Sequence, residues 1–234
     1  METSAFGEKE EKSKGIDYTL FSVCLVAAVL AAVYLPKFQI TKQTGVHAGH
    51  AYVDLGLSVN WATCNVGGDT PGQYGYYFAW SETQSKKSYT WMNMKYCADS
   101  SGNTFLKYTP KDTLTVLLPQ DDAASVQWGG NWRMPTKVEF DELMENCDWS
   151  RTAYKGVNGF KFKSRINGNS IFLPAVGFCI DSNPEYFGYY GYYWLSSPES
   201  EKSGSVWCFY FTLGTHGLAC FPRFRGHSIR PVCK

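Results

Sequence analysis

The sequence predicts an α+β domain, with two main helices among short, mostly antiparallel strands, behind one N-terminal membrane-spanning segment. Three observations predict it. A capping-box tetrad opens an amphipathic helix, short runs rich in aromatic residues recur along the chain, and one uncharged apolar run stands apart near the start.

Residues 1–17 are polar and rich in Glu and Lys, without apolar periodicity, and read as a disordered tail. Residues 18–36 then carry no charge, and Pro36-Lys37 closes them. A bilayer needs about 20 apolar residues, so the run is just long enough to span one. The segment before it is long and mixes Glu8, Glu10 and Glu11 with Lys9, Lys12 and Lys14, which fits a signal-anchor better than a short basic signal peptide. Cleavage near Ala31 or Ala32 is the alternative, and would make the protein secreted. Lys9, Lys12 and Lys14 against Lys37 and Lys42 give a weak inside bias to the N-terminus, so the expectation is a cell-envelope protein with its C-terminal domain outside the cytoplasm.

Residues 37–49 read as a linker, and residues 50–234 as the domain. In its first segment Val53, Leu55, Leu57, Val59 and Trp61 alternate with polar positions, the period of a half-buried strand or hairpin. Residues 74–80 form another aromatic strand candidate, and 81–109 are loop-like. Residues 120–126, after Pro119, predict a short helix. The main helix follows Thr136-Lys137-Val138-Glu139, with Phe140, Leu143, Met144 and Cys147 at helical spacing and Glu139, Asp141 and Glu142 at its positive end. Beyond Asn158 come strand candidates at 160–162, 170–173, 192–194 and 206–211.

Composition excludes some functions. A net charge of +1 without a Lys/Arg block argues against nucleic acid as a partner. Eight cysteines, one of them Cys24 in the apolar run, have no zinc-type spacing, so disulfides and buried thiols stay equally open and no metal or cofactor is expected.

Several ordered motifs carry a resemblance. Tyr52-Val53-Asp54-Leu55-Gly56-Leu57-Ser58-Val59, Trp61-Ala62-Thr63-Cys64-Asn65-Val66-Gly67, Tyr77-Phe78-Ala79-Trp80-Ser81-Glu82-Thr83, Trp132-Arg133-Met134-Pro135-Thr136, Gly191-Tyr192-Tyr193-Trp194 and Ser228-Ile229-Arg230-Pro231-Val232-Cys233 together resemble the Fibrobacter-type major paralogous domain (FISUMP) over nearly all of 52–233. The resemblance implies a C-type-lectin-like fold, shared with formylglycine-generating enzymes and with the variable proteins of diversity-generating retroelements. It does not by itself imply function.

Catalysis is not expected. The closely spaced C-terminal cysteine pair of formylglycine-generating enzymes is absent, and His47, His50, His216 and His227 fit no triad order. The calcium-binding tripeptides of the lectins are absent too, and Asn183-Pro184-Glu185 reads as a turn. What the resemblance implies instead is a ligand-binding surface in 207–225, rewritten by a retroelement at Asn codons. Replacing both adenines of AAC or AAT cannot yield Lys, Glu, Gln, Met or Trp, and 208–225 contains none of these. The variable positions would be Cys208, Tyr210, Thr212, Leu213, Thr215, Gly217, Ala219, Cys220, Phe221, Pro222, Phe224 and Arg225, on a scaffold of Phe209, Phe211, His216, Arg223 and Gly226. A fixed binding module or an ordinary core hairpin is the alternative. Tyr186, Phe187, Tyr189 and Tyr190 would rim the site, and the partner would be a protein or glycan on a cell or phage surface.

Overall fold

The computed structural model describes residues 44–199, 201 and 204–234. The expected tail, the expected membrane-spanning segment at 18–36 and most of the expected linker lie outside the described residues. Among the described residues no helix is long and apolar enough to cross a membrane.

The fold begins inside the expected linker. Strands β1 (Thr44–His47) and β2 (His50–Val53) form a hairpin whose two turn residues, Ala48 and Gly49, both have positive φ, as a two-residue turn matched to strand twist requires. β2 pairs with β3 (Asn60–Ala62), and β3 pairs with the last strand, β12 (Val232–Cys233), so one sheet ties the two ends of the domain together. The alternation at 53–61 is real in burial: Val53, Leu55, Val59 and Trp61 all face the core. The chain bends between the two strands, where Gly56 has φ +73.

Two helices follow. Helix α1 (Ala123–Trp128) continues a 3-10 turn at Pro119–Asp121 and is capped by Asp122, which accepts N–H bonds from Ala124 and Ser125 at 2.9 and 3.1 Å. Helix α2 (Lys137–Asn146) has the expected capping box: Thr136 Oγ1 accepts from the Glu139 N–H at 3.2 Å, and Glu139 Oε2 accepts from the Thr136 N–H at 2.8 Å. Thr136→Ala should therefore lower the unfolding free energy by about 0.5 to 2 kcal/mol. An unchanged denaturation midpoint would show that the hydroxyl contributes nothing to the helix start.

The remaining chain is β. β4 (Cys147–Tyr154), β5 (Val157–Ser164) and β6 (Ser170–Pro174) form one sheet, and β7 (Phe178–Ile180) pairs with β8 (Asn183–Glu185). β9 (Gly191–Pro198), β10 (Ser205–Phe211) and β11 (His216–Pro222) form the third sheet, with β10 central.

This corrects the expected fold class. The described chain is mainly β, four small antiparallel sheets with helices of only 6 and 10 residues, and is not the two-helix α+β arrangement of a C-type-lectin-like fold. The physical reasons are local. Gly129 and Gly130, with φ +65 and +57, end α1 after less than two turns. Cys147, counted into the helical spacing of α2, is extended at φ −119 and ψ 145 and opens β4 instead. Residues 74–80 also differ from expectation, making only an isolated bridge, Phe78 to His227.

The β9–β11 sheet is covered on both faces along β9 and the inner part of β10, while β11 is half-buried. One face sends Tyr193, Leu195, Phe209 and Phe211 into a cluster with Phe140, Phe160 and Phe162, where Phe209 stacks on Phe140 at 4.5 Å and Phe211 on Phe160 at 4.4 Å. The other sends Trp194, Val206 and Cys208 against Phe78, Trp80, Tyr108 and Met134. Burial of this kind is what stabilises the domain, at roughly 25 cal/mol per Å² of apolar surface. Two fully buried arginines brace the C-terminal segment. Arg223 donates to the Lys107 and Tyr108 carbonyls, and Arg230 donates to Asn65 Oδ1 and to the Ala62 and Thr63 carbonyls.

Candidate ligand-binding surface

The expected variable segment folds as the β10–β11 hairpin. Its register sets which side chains share a face: Val206 lies opposite Phe221, Cys208 opposite Ala219, and Tyr210 opposite Gly217, while on the other side of β10 Cys208 meets Trp194 and Tyr210 meets Tyr192. Side chains alternate along a strand, so these residues lie together on one face.

The outer part of that face is an aromatic cluster. Tyr210 lies nearly parallel to Tyr192 with centroids 6.2 Å apart, and Phe221 presents its ring edge-on to Tyr192 at 5.3 Å and to Tyr210 at 5.8 Å. Phe178, from β7, meets Tyr192 at 5.0 Å and Tyr186 at 5.8 Å, and Tyr186 stacks on Tyr190 at 4.7 Å. Arg225 lies 5.3 Å from the Phe178 centroid and 5.7 Å from that of Phe221, within cation–π range. Burial lowers its pKa from the usual arginine value, and among the described residues it has no ion pair.

Arg151, on β4, joins two parts of this surface. One guanidinium nitrogen donates to the Thr212 carbonyl at 2.7 Å and another to the Tyr189 carbonyl at 2.7 Å. The hairpin turn and the tyrosine loop are thereby held together, with Leu213 and Tyr189 both largely exposed. Within the turn the Thr212 N–H donates to the Thr215 carbonyl at 2.7 Å, and Thr212 Oγ1 accepts from the Thr215 N–H at 3.1 Å.

Not every expected position belongs to this surface. Tyr210, Gly217, Ala219, Phe221 and Arg225 share the face, and Thr212, Leu213 and Thr215 form the turn. Cys208 lies beneath the face, fully buried, with Sγ 3.3 Å from His227 Nδ1, so it cannot touch a ligand. Cys220 pairs with Trp207 on the opposite face, Pro222 ends the strand, and Phe224 packs on Trp91 at 4.7 Å. The expected scaffold residues Phe209, Phe211, Arg223 and Gly226 are buried, and His216 is half-buried against Trp149.

No family model, curated protein or solved structure matches this chain.

The close Cys208–His227 contact has the residue types of a nucleophile and base, and its environment removes that role. Burial pushes the Cys208 thiol well above its usual range and the His227 imidazole well below its own, and the nearby Arg225 charge lowers the imidazole further. Both are neutral near pH 7, and neither is accessible to a substrate. His227 instead stacks on Trp194 at 3.9 Å. His47 Nε2 accepts from the Asn131 N–H at 3.0 Å, and His50 stacks on Trp128 at 3.8 Å. Cys64, Cys97, Cys147, Cys179, Cys208 and Cys233 are free thiols, and the described residues contain no group of three or more His, Cys, Asp or Glu that could hold a metal.

Sequence reasoning missed Phe178, and it placed Tyr192 in the core, where the structure has it, buried against Phe178, Tyr210 and Phe221. The signal for Phe178 was the neighbouring Tyr186 to Tyr190 run, but only the backbone path brings β7 to that face. A separate cleft of about 340 Å³, lined by residues such as Val53, Thr63, Tyr154, Lys161 and Phe172, contains none of the expected site residues.

Proposed function

We propose that this protein is a ligand-binding, receptor-like surface protein that engages a partner through the aromatic face and turn of its β10–β11 hairpin, without catalysis. The observation that carries this reading is the gathering of Tyr210, Phe221 and Arg225 with Tyr186 and Tyr190 on one partly open face over the buried Tyr192 and Phe178, beside an exposed turn at Leu213. Tyr and Arg suit such a role because they give large contact area and directional hydrogen bonds at modest entropic cost.

The same reading makes the hairpin the variable segment of a diversity-generating retroelement, as the likeness to the Fibrobacter-type domain implies. The absence of Lys, Glu, Gln, Met and Trp from 208–225 supports it. The apolar run at 18–36 would anchor the protein in the cell envelope with this domain outside. The partner would be a protein or glycan on a cell or phage surface. The burial of Cys208 against His227 favours the second reading, a fixed binding module, at that position, because a residue packed in the core tolerates few replacements.

Two measurements test the proposal. Replacing Leu213 and Thr215 together by Asn should leave the unfolding free energy within about 0.5 kcal/mol per site, while binding to a partner recovered by a cell-surface display screen drops. Sequencing the locus across isolates should place differences at Tyr210, Thr212, Leu213, Thr215, Ala219, Phe221 and Arg225, each traceable to an adenine of a nearby near-copy repeat. Uniform residues there would sink the retroelement reading, and unfolding of the double variant would return the hairpin to a purely structural role.

A further inference from the structure

The tyrosines of this domain divide by what their hydroxyls do. Tyr77, Tyr89 and Tyr193 donate to the Val176, Tyr77 and Pro174 carbonyls, and Tyr96 and Tyr108 donate to the buried Asp121 carboxylate. Phenols inside a fold need such partners. The hydroxyls of Tyr186, Tyr190 and Tyr210 make no hydrogen bond to a described residue; Tyr186 is exposed, and Tyr190 and Tyr210 are half-buried. All three belong to the face described above, and their donors and acceptors are unused there.

Arg225 adds a charge with the same property. Its Nε is buried and has no hydrogen-bond partner, and the rest of the guanidinium makes no hydrogen bond or ion pair with a described residue. This contrasts with Arg133, Arg151, Arg165, Arg223 and Arg230, each of which donates to named acceptors. A guanidinium partly stripped of water and lacking an anion is a ready partner for a carboxylate, which it can bind through two parallel N–H bonds.

We propose that this face takes an acidic saccharide, with the pyranose ring against the half-buried Tyr210 and Phe221, its hydroxyls on the free phenols, and its carboxylate on Arg225. The proposal rests on the reading of this face as the ligand site. A sugar fits better than a peptide side chain because the rings are already in mutual contact, with Phe221 edge-on to both Tyr192 and Tyr210, and so present a hydroxyl-edged surface rather than a slot. An inserted aromatic or aliphatic side chain calls for a concave apolar pocket. A pyranose instead offers one C–H face to a ring and a rim of hydroxyls that need partners.

Full-length protein in detergent micelles, titrated calorimetrically with tri-galacturonate and with sialyllactose, each against its neutral methyl ester, tests the proposal. At least one acid should bind about tenfold or more tighter than its ester, as expected for a charge-assisted hydrogen-bonded contact. Arg225→Gln should bring the acid down to the ester's affinity, Arg225→Lys should keep part of the preference, and Tyr210→Ser should weaken both forms, with unchanged circular dichroism melting as the control for folding. Equal affinity of acid and ester, a preference that survives Arg225→Gln, or no binding of either saccharide overturns the proposal. So does tighter binding of a short peptide ending in a phenylalanine carboxylate. If acid and ester bind alike and Tyr210→Ser still weakens both, the face remains a ligand site and only the anion assignment falls. If neither Arg225 nor Tyr210 matters to any saccharide that binds, the reading of the face as the ligand site falls with it.

Discussion

Trp194→Ala should lower the free energy of unfolding by about 3 to 5 kcal/mol, read as a lower denaturant midpoint at unchanged slope. Trp194 is fully buried, its indole N–H donates to the Phe78 carbonyl at 2.8 Å, and its ring stacks on His227. Truncation leaves a large cavity between β9 and the 74–80 segment, and an unpaired carbonyl beside it. The effect should be far larger than that of the exposed turn substitutions, although Trp194 lies in the same sheet. A shift below about 1 kcal/mol would mean that this face is not packed as described.

The second large effect is expected at Asp122. Its carboxylate is almost fully buried and accepts three backbone N–H bonds, from Ala124 and Ser125 on Oδ1 and from Met134 on Oδ2 at 2.8 Å. Asp122→Ala leaves all three donors unpaired at once, separating α1 from the segment that leads into α2, and should cost at least about 3 kcal/mol. Asp122→Asn should recover only part of this, because one of its two ends carries N–H groups that would face another donor. An Asn variant as stable as the wild type would overturn this account.

The same carboxyl gives a pH signature. Burial pushes its pKa up to about 6, against the three N–H donors that lower it. The folded state therefore holds this proton more tightly than the unfolded chain, where an Asp titrates near about 3.9. Stability from this group is greatest below about pH 4 and declines as pH rises toward about 6. Unfolding free energies measured across that window should fall more steeply for the wild type than for Asp122→Asn.

Local signals in the sequence were legible where one residue's chemistry decides the outcome. The Thr136/Glu139 box marked the start of α2, and the alternation through Val53, Leu55, Val59 and Trp61 marked a core-facing stretch. β4 was not legible, because Asp148, Ser150, Arg151 and Thr152 are exposed on an edge strand and give no apolar period. The fold class was misjudged because helix length depends on where Gly129 and Cys147 stop each helix rather than on the capping signals. In the site, alternation correctly separated Phe209 and Phe211 from Tyr210, but it treated the second face as solvent. The sheet is covered on both sides at its inner end, so Cys208 alternates with Phe209 and is buried all the same.

Arg151 reaches across to the aromatic face without reading its side chains. Both of its bonds end on main-chain carbonyls, those of Thr212 and Tyr189, and a carbonyl is present whatever side chain the residue carries. The tie therefore survives substitution at either position. Geometry and chemistry are decoupled here: the outline of the surface is set by backbone atoms and one fixed arginine, while the side chains displayed on it can change without the outline being learned again.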